Sequence, residues 1–245
     1  MSRIELIPID GIGEVLPGDD LAGLIAAAAD SSGIGLQADD VLVVTQKVVS
    51  KAEGRIVELA SVQPSAFALE WAARWGKDAR QVELVLRESA TVVRMGPGGL
   101  IISRTRHGFV CANAGVDVSN VGEGDVATLL PLDPDASAAA LRERLGAPVV
   151  ISDSFGRPWR NGIVNVAIGV AGLEALVDLR GQPDTEGRLM QATVIAVADE
   201  LASAADLAGG KVGRRPVVVV RGYHWAPSAA GAAPLIMEPE RDLFP

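Results

Sequence analysis

The chain has 245 residues, a hydrophobic fraction of 49% with only 4% aromatics, and a formal net charge of −9 at pH 7. That length and apolar content suit one large domain or two small ones with a core of Val, Leu, Ile and Ala. The acidic balance argues against a general nucleic-acid binder, which needs a basic surface. A single cysteine, Cys111, excludes an intrachain disulfide and a cysteine-based zinc site, and with only His107 and His224 a His-rich metal centre is weakly supported.

The first residues, Met1-Ser2-Arg3-Ile4-Glu5, lack a secretory apolar core, and no apolar run approaches the ~18 residues needed to span a bilayer. A soluble, cytoplasmic protein is expected. In chain order, residues 3–9 read as a strand followed by a Gly-rich turn, Asp10-Gly11-Ile12-Gly13. An Ala/Leu helix follows, running to about Asp30 with an Asp as N-cap. Residues 41–45 are a short β-branched strand leading into the segment 46–55, where Lys51 sits near a Gly-bounded turn. Residues 64–88 read as helical, with Phe67, Trp71 and Trp75 four apart on one face, a stripe suited to core packing or a subunit contact. Strands are expected at 90–95, 99–103 and 108–112, and a helix at 133–145. The run Pro148-Val149-Val150-Ile151 reads as a buried strand. A long Ala-rich helix is expected over 186–208, then a buried strand over 216–220. From about 226 an irregular arm is expected. No internal repeat or strong linker interrupts the chain, so 1–245 reads as a single functional unit. Strands and helices mix without regular βαβ alternation, which predicts an α+β fold with mixed and antiparallel sheets.

Two segments carry chemistry. Ser152-Asp153-Ser154-Phe155-Gly156-Arg157-Pro158-Trp159-Arg160-Asn161-Gly162 leaves the end of the 148–151 strand. Asp153 and Ser154 offer hard oxygens to a divalent cation, while Arg157 and Arg160 offer rigid forks for phosphate or carboxylate. The competing reading is a solvated turn with structural Asp–Arg pairing. The second segment, Asn113-Ala114-Gly115-Val116-Asp117-Val118-Ser119-Asn120, places Asp117 and Asn120 past another strand end among small residues. Ordinary turn formation is the alternative there. Together they point to a site for a metal-bound phosphorylated ligand, if the two loops meet. The phosphate-loop signature Gly-x-x-x-x-Gly-Lys-Ser/Thr is absent, since Gly210-Lys211 is followed by Val212. Gly122-x-Gly124-x-x-Ala127 only mimics a dinucleotide turn. Cys111, in an apolar run, reads as a buried structural thiol.

Five ordered motifs, over about residues 4–222, then align with a known pattern. They are Val44-Thr45-Gln46-Lys47-Val48-Val49-Ser50-Lys51-Ala52-Glu53-Gly54, Ala114 to Asn120, Ser152 to Gly162, Ala196-Val197-Ala198-Asp199-Glu200 and Val219-Val220-Arg221-Gly222. In these the chain resembles the coenzyme F420-0:L-glutamate ligase family, also called F420:γ-glutamyl ligases. The resemblance implies an F420 ligase-like α+β fold, an intertwined homodimer, and GTP-dependent addition of L-glutamate to coenzyme F420-0. Further rounds would build a γ-linked tail. It also implies an acyl-phosphate intermediate, Mg²⁺ or Mn²⁺, and K⁺. By position it assigns Asp117, Asp153 and Ser154 as metal ligands. It assigns the turn Ile12, Gly13, Glu14 and Val15, together with Gln46, Lys51, Asn120 and the 209–216 loop with Gly210 and Lys211, to GTP. Arg157 and Arg160 are candidates to hold phosphate or the substrate carboxylate.

Two departures from the family stand out. Gln46 occupies a position where several relatives carry Ser. Lys211 stands where some archaeal relatives place a metal-binding Gln, so that one metal would be held differently or be partly replaced by ammonium charge. Some actinobacterial relatives carry a second, flavin-binding reductase domain after the ligase part, and Asp242-Leu243-Phe244-Pro245 falls about where its connector would begin, so both a stand-alone ligase and an excised N-terminal domain are open readings. Two other readings stay open: a metal-dependent phosphohydrolase using the same aspartates, and a non-catalytic module that binds the deazaflavin or the nucleotide.

Overall fold

The computed structural model describes residues 3–118 and 125–241. Asn120 and the Gly122–Gly124 turn lie outside the described residues. Strand β1 (Glu5–Pro8) runs into the 10–15 turn. Helix α1 (Leu21–Ser31) follows, capped by Asp20, whose carboxylate accepts from the Gly23 N–H. β2 (Val41–Thr45) passes directly into α2 (Gln46–Ala52), and a short β3 (Ile56–Glu58) follows. The helical stretch expected over 64–88 is a pair, α3 (Ala66–Trp75) and α4 (Ala79–Glu88). Gly76 closes α3 in the left-handed region, φ +63°, which glycine enters without a Cβ penalty. Next come β4 (Ser89–Met95), β5 (Ile101–Thr105), β6 (Val110–Ala112) and β7 (Val126–Thr128). The chain continues through α5 (Pro134–Leu145), β8 (Val149–Arg157), β9 (Arg160–Ala171), β10 (Val177–Asp178) and β11 (Val194–Ile195). It closes with α6 (Val197–Gly209) and β12 (Val217–Arg221).

The architecture is α+β, as expected. The main sheet has the order β1-β12-β2-β8-β9, antiparallel except for the β2–β8 pair, which is parallel. Side chains alternate across it. Leu42, Val44, Val149, Ile151, Val217 and Val219 pack with α1 and α5 on one face. Val41, Val43, Val150, Val218 and Val220 pack with Ala198, Leu201, Ala202 and Ala205 of α6 on the other. Period-2 alternation with both faces apolar is what a central strand between helix layers requires. A smaller sheet, β4-β5-β6, packs its Ile101 against Ala68 and Ala72 of α3 and Val82 and Val85 of α4. In the aromatic stripe, Trp71 packs on that core and Phe67 is exposed.

Three sequence expectations change. Residues 152–162 are not a loop: β8 continues to Arg157 and returns as β9, because antiparallel pairing with β9 supplies backbone partners beyond the end of β2. The helix expected from 186 starts at Val197, since β-branched Val194 and Ile195 pair with β10 instead. The segment from 226, read from sequence as an irregular arm, carries two short 3₁₀ turns, Ala233–Leu235 and Pro239–Arg241, and is docked. The Ala232 N–H donates to both oxygens of Asp135, at 2.9 and 3.1 Å, and the Trp225 indole donates to the Asp39 carbonyl at 3.1 Å. No helix among the described residues is long and apolar enough to cross a membrane.

Candidate active site

The register of the main sheet builds a cleft at one end. Thr45 pairs with Ser152 at the carboxyl ends of the parallel strands, the edge of an open sheet where ligands bind in α/β folds. The antiparallel β12 starts at that same end, because the Thr45 N–H donates to the Pro216 carbonyl at 2.9 Å. β1 also runs out there, into the 10–15 turn. The result is a cavity of about 850 Å³ bordered by Ile12, Gly13, Glu14, Val15, Gln46, Lys51, Asp117, Asp153, Ser154, Gly210 and Lys211. The segments carrying Asp117 and Asp153, far apart in sequence, therefore share one cavity.

The local reasons are legible. Past the end of β2, Asp153 and Ser154 lie on the stretch of β8 that only β9 supports. A register shift between Ile151 and Ser152 bends the hairpin just before them. The Ala167 N–H at this bulge donates to Asp199 Oδ1 at 2.8 Å, so Asp199 of the Ala196–Glu200 motif stabilises the bend. Asp117 is fixed by its backbone, paired in both directions with Thr128 at 3.0 and 2.8 Å. The turn before it is strained: Asn113, Ala114 and Gly115 all have positive φ, of 54°, 50° and 72°. A Cβ on Gly115 would lie 2.6 Å from Leu130 Cγ, which makes glycine necessary there.

Helix α2 sorts its polar residues by face. Gln46 and Ser50, one turn apart, bond to each other at 2.8 Å inside the protein. Lys47 and Lys51, also one turn apart, face the cavity. Lys51 belongs to the last turn of a helix rather than to a loop, and only 7% of it is exposed; its ammonium is paired with Glu14. The Lys47 ammonium donates to Asp117 Oδ2 at 2.7 Å. Across the cavity the Ser154 hydroxyl donates to Asn165 Oδ1 at 2.7 Å, and the Lys211 ammonium donates to both Ser154 Oγ and Asn165 Oδ1.

Burial, with the nearby charge of Asp117, pushes the Asp153 carboxyl up to about 6, against the backbone hydrogen bond at Ser154 and the charges of Lys211 and Lys47. A desolvated carboxylate beside a second carboxylate needs a counter-cation. The donors at hand are two carboxylates, a hydroxyl and a carboxamide, all hard oxygens, and they fit Mg²⁺ or Mn²⁺. Among the described residues no group of three or more His, Cys, Asp and Glu side chains is arranged to hold a metal ion, so an ion held here would need hydroxyl, carbonyl or ligand oxygens as well.

Arg157 and Arg160 fall elsewhere. They pair across the tip of the β8–β9 hairpin and do not border the cavity, and the Arg157 guanidinium donates to the Asn161 carbonyl at 2.9 Å. The cationic side chains bordering the cavity are instead Lys47, Lys51, Lys211, Arg214 and Arg215. Sequence reasoning passed over Lys47 and Asn165. The i, i+4 spacing of Lys47 and Lys51 was the signal for the first. Nothing local marked Asn165, which reaches the site only because β9 folds back on β8.

Cys111 also borders the cavity but is buried. Burial first, then the charge of Asp153, pushes its thiol up to about 12 despite a hydrogen bond from the Gly115 backbone. Iodoacetamide at pH 8 should therefore alkylate the native protein at least ~100-fold more slowly than a free cysteine, and the urea-unfolded chain at the ordinary rate. Fast native labelling would make Cys111 a reactive nucleophile and contradict its structural role.

Comparison with known proteins matches this arrangement to a family. The profile of the family described as F420-0:Gamma-glutamyl ligase matches residues 11–222. Coenzyme F420:L-glutamate ligase of Methanothermobacter thermautotrophicus is 47% identical over 250 residues, covering 98% of each chain. The protein of the same name from Methanopyrus kandleri is 46% identical over 255 residues, covering 99% of this chain and 97% of its own. That of Archaeoglobus fulgidus is 45% identical over 231 residues, covering 91% of this chain and 90% of its own. Profile and relatives both span the strand ends that build the cavity, and the chain belongs to the F420-0:gamma-glutamyl ligase family.

Proposed function

We propose that the chain is a ligase that adds L-glutamate to coenzyme F420-0, and then further γ-linked glutamates, at the expense of GTP. The observation that carries this reading is the convergence, in one cavity, of the Asp117–Asp153 pair with lysines and arginines from two separate segments. Such a site suits a reaction that brings a polyphosphate and a carboxylate together. Phosphoryl transfer needs little from a protein beyond positioning and charge neutralisation.

In the proposed sequence, an oxygen of the precursor's terminal carboxylate attacks the γ-phosphorus. The bond from that phosphorus to the β,γ-bridging oxygen breaks, and GDP leaves. The glutamate amine then attacks the acyl carbon of the acyl phosphate, phosphate leaves with the C–O bond electrons, and the amine proton passes to water or a carboxylate. Lys47, Lys51, Lys211, Arg214 and Arg215 offset the phosphate charge, and the 12–15 turn lets the ligand approach the backbone. Asp117 and Asp153, with Ser154, are proposed to hold Mg²⁺ or Mn²⁺, which when bound withdraws charge from the phosphate oxygens. K⁺ is proposed as an additional ion. A homodimer is proposed as well, supported by Trp159 at the hairpin tip, a large aromatic side chain that is 81% exposed.

The test is incubation with F420-0, L-glutamate, GTP and Mn²⁺, followed by mass spectrometry. A ladder of glutamate-sized increments that vanishes without GTP is expected. Phosphate release without increments would make the chain a phosphohydrolase. Precursor binding with neither product would make it a binding module.

A further inference from the structure

We propose that Asp199 is a positioning residue for the cavity: it holds one extra residue, Ile168, in β9 and so turns Asn165 toward Ser154. Only the activity readout of its test rests on the ligase reading given above.

Strands β8 and β9 pair in two registers. Val149, Val150 and Ile151 face Ala171, Val170 and Gly169, whereas Ser152, Asp153 and Ser154 face Ala167, Val166 and Asn165. Ile168 is the residue left over. The faces change over with it. Beyond it Ala171 packs on the side of α1 and α5 and Val170 on the side of α6. Nearer the cavity Val166 and Ile168 take the first side and Ala167 the second. Because side chains alternate along a strand, one inserted residue exchanges the faces of everything past it. Had the register of Ile151 continued, Val166 would stand opposite Ser154 and Asn165 opposite Phe155, a carboxamide directed at the apolar layer around α1 and α5. With the extra residue, Asn165 Oδ1 accepts from the Ser154 hydroxyl at 2.7 Å and from the Lys211 ammonium at 3.1 Å.

A bulge leaves backbone groups out of the ladder. Here the Ala167 N–H donates to Asp199 Oδ1 at 2.8 Å, and one turn further along α6 the Ser203 hydroxyl donates to the Asn165 carbonyl at 2.7 Å. Two residues at i and i+4 on one helix face thus grip alternate residues of β9. Asp199 also lies in the first turn of α6, where an acid favours the positive end of the helix, and this is the competing account of it. The two accounts separate on charge. The Ala167 N–H needs only an acceptor oxygen, which an Asn supplies, whereas the helix end favours the carboxylate itself. Burial pushes the Asp199 carboxyl up against the pull of the Ala167 bond, so the position gains little from charge.

The test is glutamate addition to F420-0 with saturating GTP and Mn²⁺, together with amide hydrogen exchange of Ala167 followed by NMR in each variant. Asp199→Ala is expected to lower kcat about a hundredfold, as a misplacement of about 1 Å at a reacting centre does, and to open the Ala167 amide to exchange. Asp199→Asn should stay within about threefold of the wild-type kcat and keep that amide protected. Leu201→Ala, which removes buried packing from the same helix, should lose stability and leave kcat unchanged. Ser203→Ala, a milder cut, should lower kcat about tenfold, and it carries the test if Asp199→Ala does not fold. Three results would each overturn the positioning role and leave the ligase reading intact. They are wild-type kcat in Asp199→Ala or in Ser203→Ala, an Asp199→Asn as impaired as Asp199→Ala, and an equal loss in Leu201→Ala. No glutamate addition by the wild-type chain would sink the ligase reading instead. Amide exchange then decides alone: an Ala167 amide still protected in Asp199→Ala overturns the positioning role, and one opened there but not in Asp199→Asn upholds it.

Discussion

Asp153→Asn is expected to lower Mn²⁺-dependent glutamate addition by about a thousandfold or more, while the metal-free protein becomes more stable. The two effects share one cause. Asp153 is partly buried, faces Asp117, and has its carboxyl displaced upward to about 6 from an ordinary 3.8. That displacement corresponds to roughly 2–3 kcal/mol of cost for holding the ionised carboxylate in the fold. An Asn of the same shape carries no charge, so its melting temperature should rise by roughly 2–8 °C. Added Mn²⁺ should stabilise the wild type and leave Asp153→Asn unmoved, since a ligand stabilises only the form that binds it. Asp117→Asn should lose activity to a similar extent. Retained activity in either variant removes that residue from the site, and a lower melting temperature for Asp153→Asn would make the carboxylate structural.

Asp40→Ala is expected to destabilise the protein by about 3–5 kcal/mol, with the melting temperature falling by roughly 10 °C. Asp40 is fully buried at the foot of β2. It accepts two parallel bonds from Arg221 at the end of β12, both at 2.8 Å, and one from the Gln37 N–H at 2.8 Å. Arg221 also donates to the Gly35 carbonyl at 2.7 Å, and its pairing with Asp40 raises the guanidinium above its ordinary value. Removing the carboxylate leaves a half-buried guanidinium without its counter-charge, the costly way to break such a pair. Asp40→Leu combined with Arg221→Met should recover more than half of the loss, because desolvating two paired charges consumes most of what their attraction returns. A chemical-denaturation series decides it. A loss below about 1 kcal/mol for Asp40→Ala would mean that water reaches Arg221 and the pair is only superficial.

The Asp40–Arg221 pair shows why motif and site differ. Val219-Val220-Arg221-Gly222 and Ala196-Val197-Ala198-Asp199-Glu200 mark the family as surely as Asp117 and Asp153, yet neither segment borders the cavity. Arg221 ties β12 to the start of β2, and Asp199 accepts the N–H freed at the bend of β9. Both positions hold the frame in which the strand ends face one another. A linear pattern cannot separate such residues from those that meet a ligand, because the same side-chain chemistry serves either purpose.

Much of the frame was determined by local sequence. The β-branched runs at 41–45 and 217–220, the Asp-capped α1 and α5, and Asp153 and Asp117 as hard-oxygen donors all follow from side-chain type and short-range spacing. Pairing was decided only in three dimensions. Whether 152–162 is a loop or a hairpin depends on β9, whose distal residues carry no alternating apolar signal because the hairpin there leaves the core. How far Arg157 and Arg160 lie from the cavity depends on that hairpin, which carries them to its tip, just past Gly156 and Ile163 at the cavity's border. Which cations do serve it depends on β1, β2, β8 and β12 ending together, since backbone pairing between strands distant in sequence is set by the packing of both sheet faces and not by any one segment.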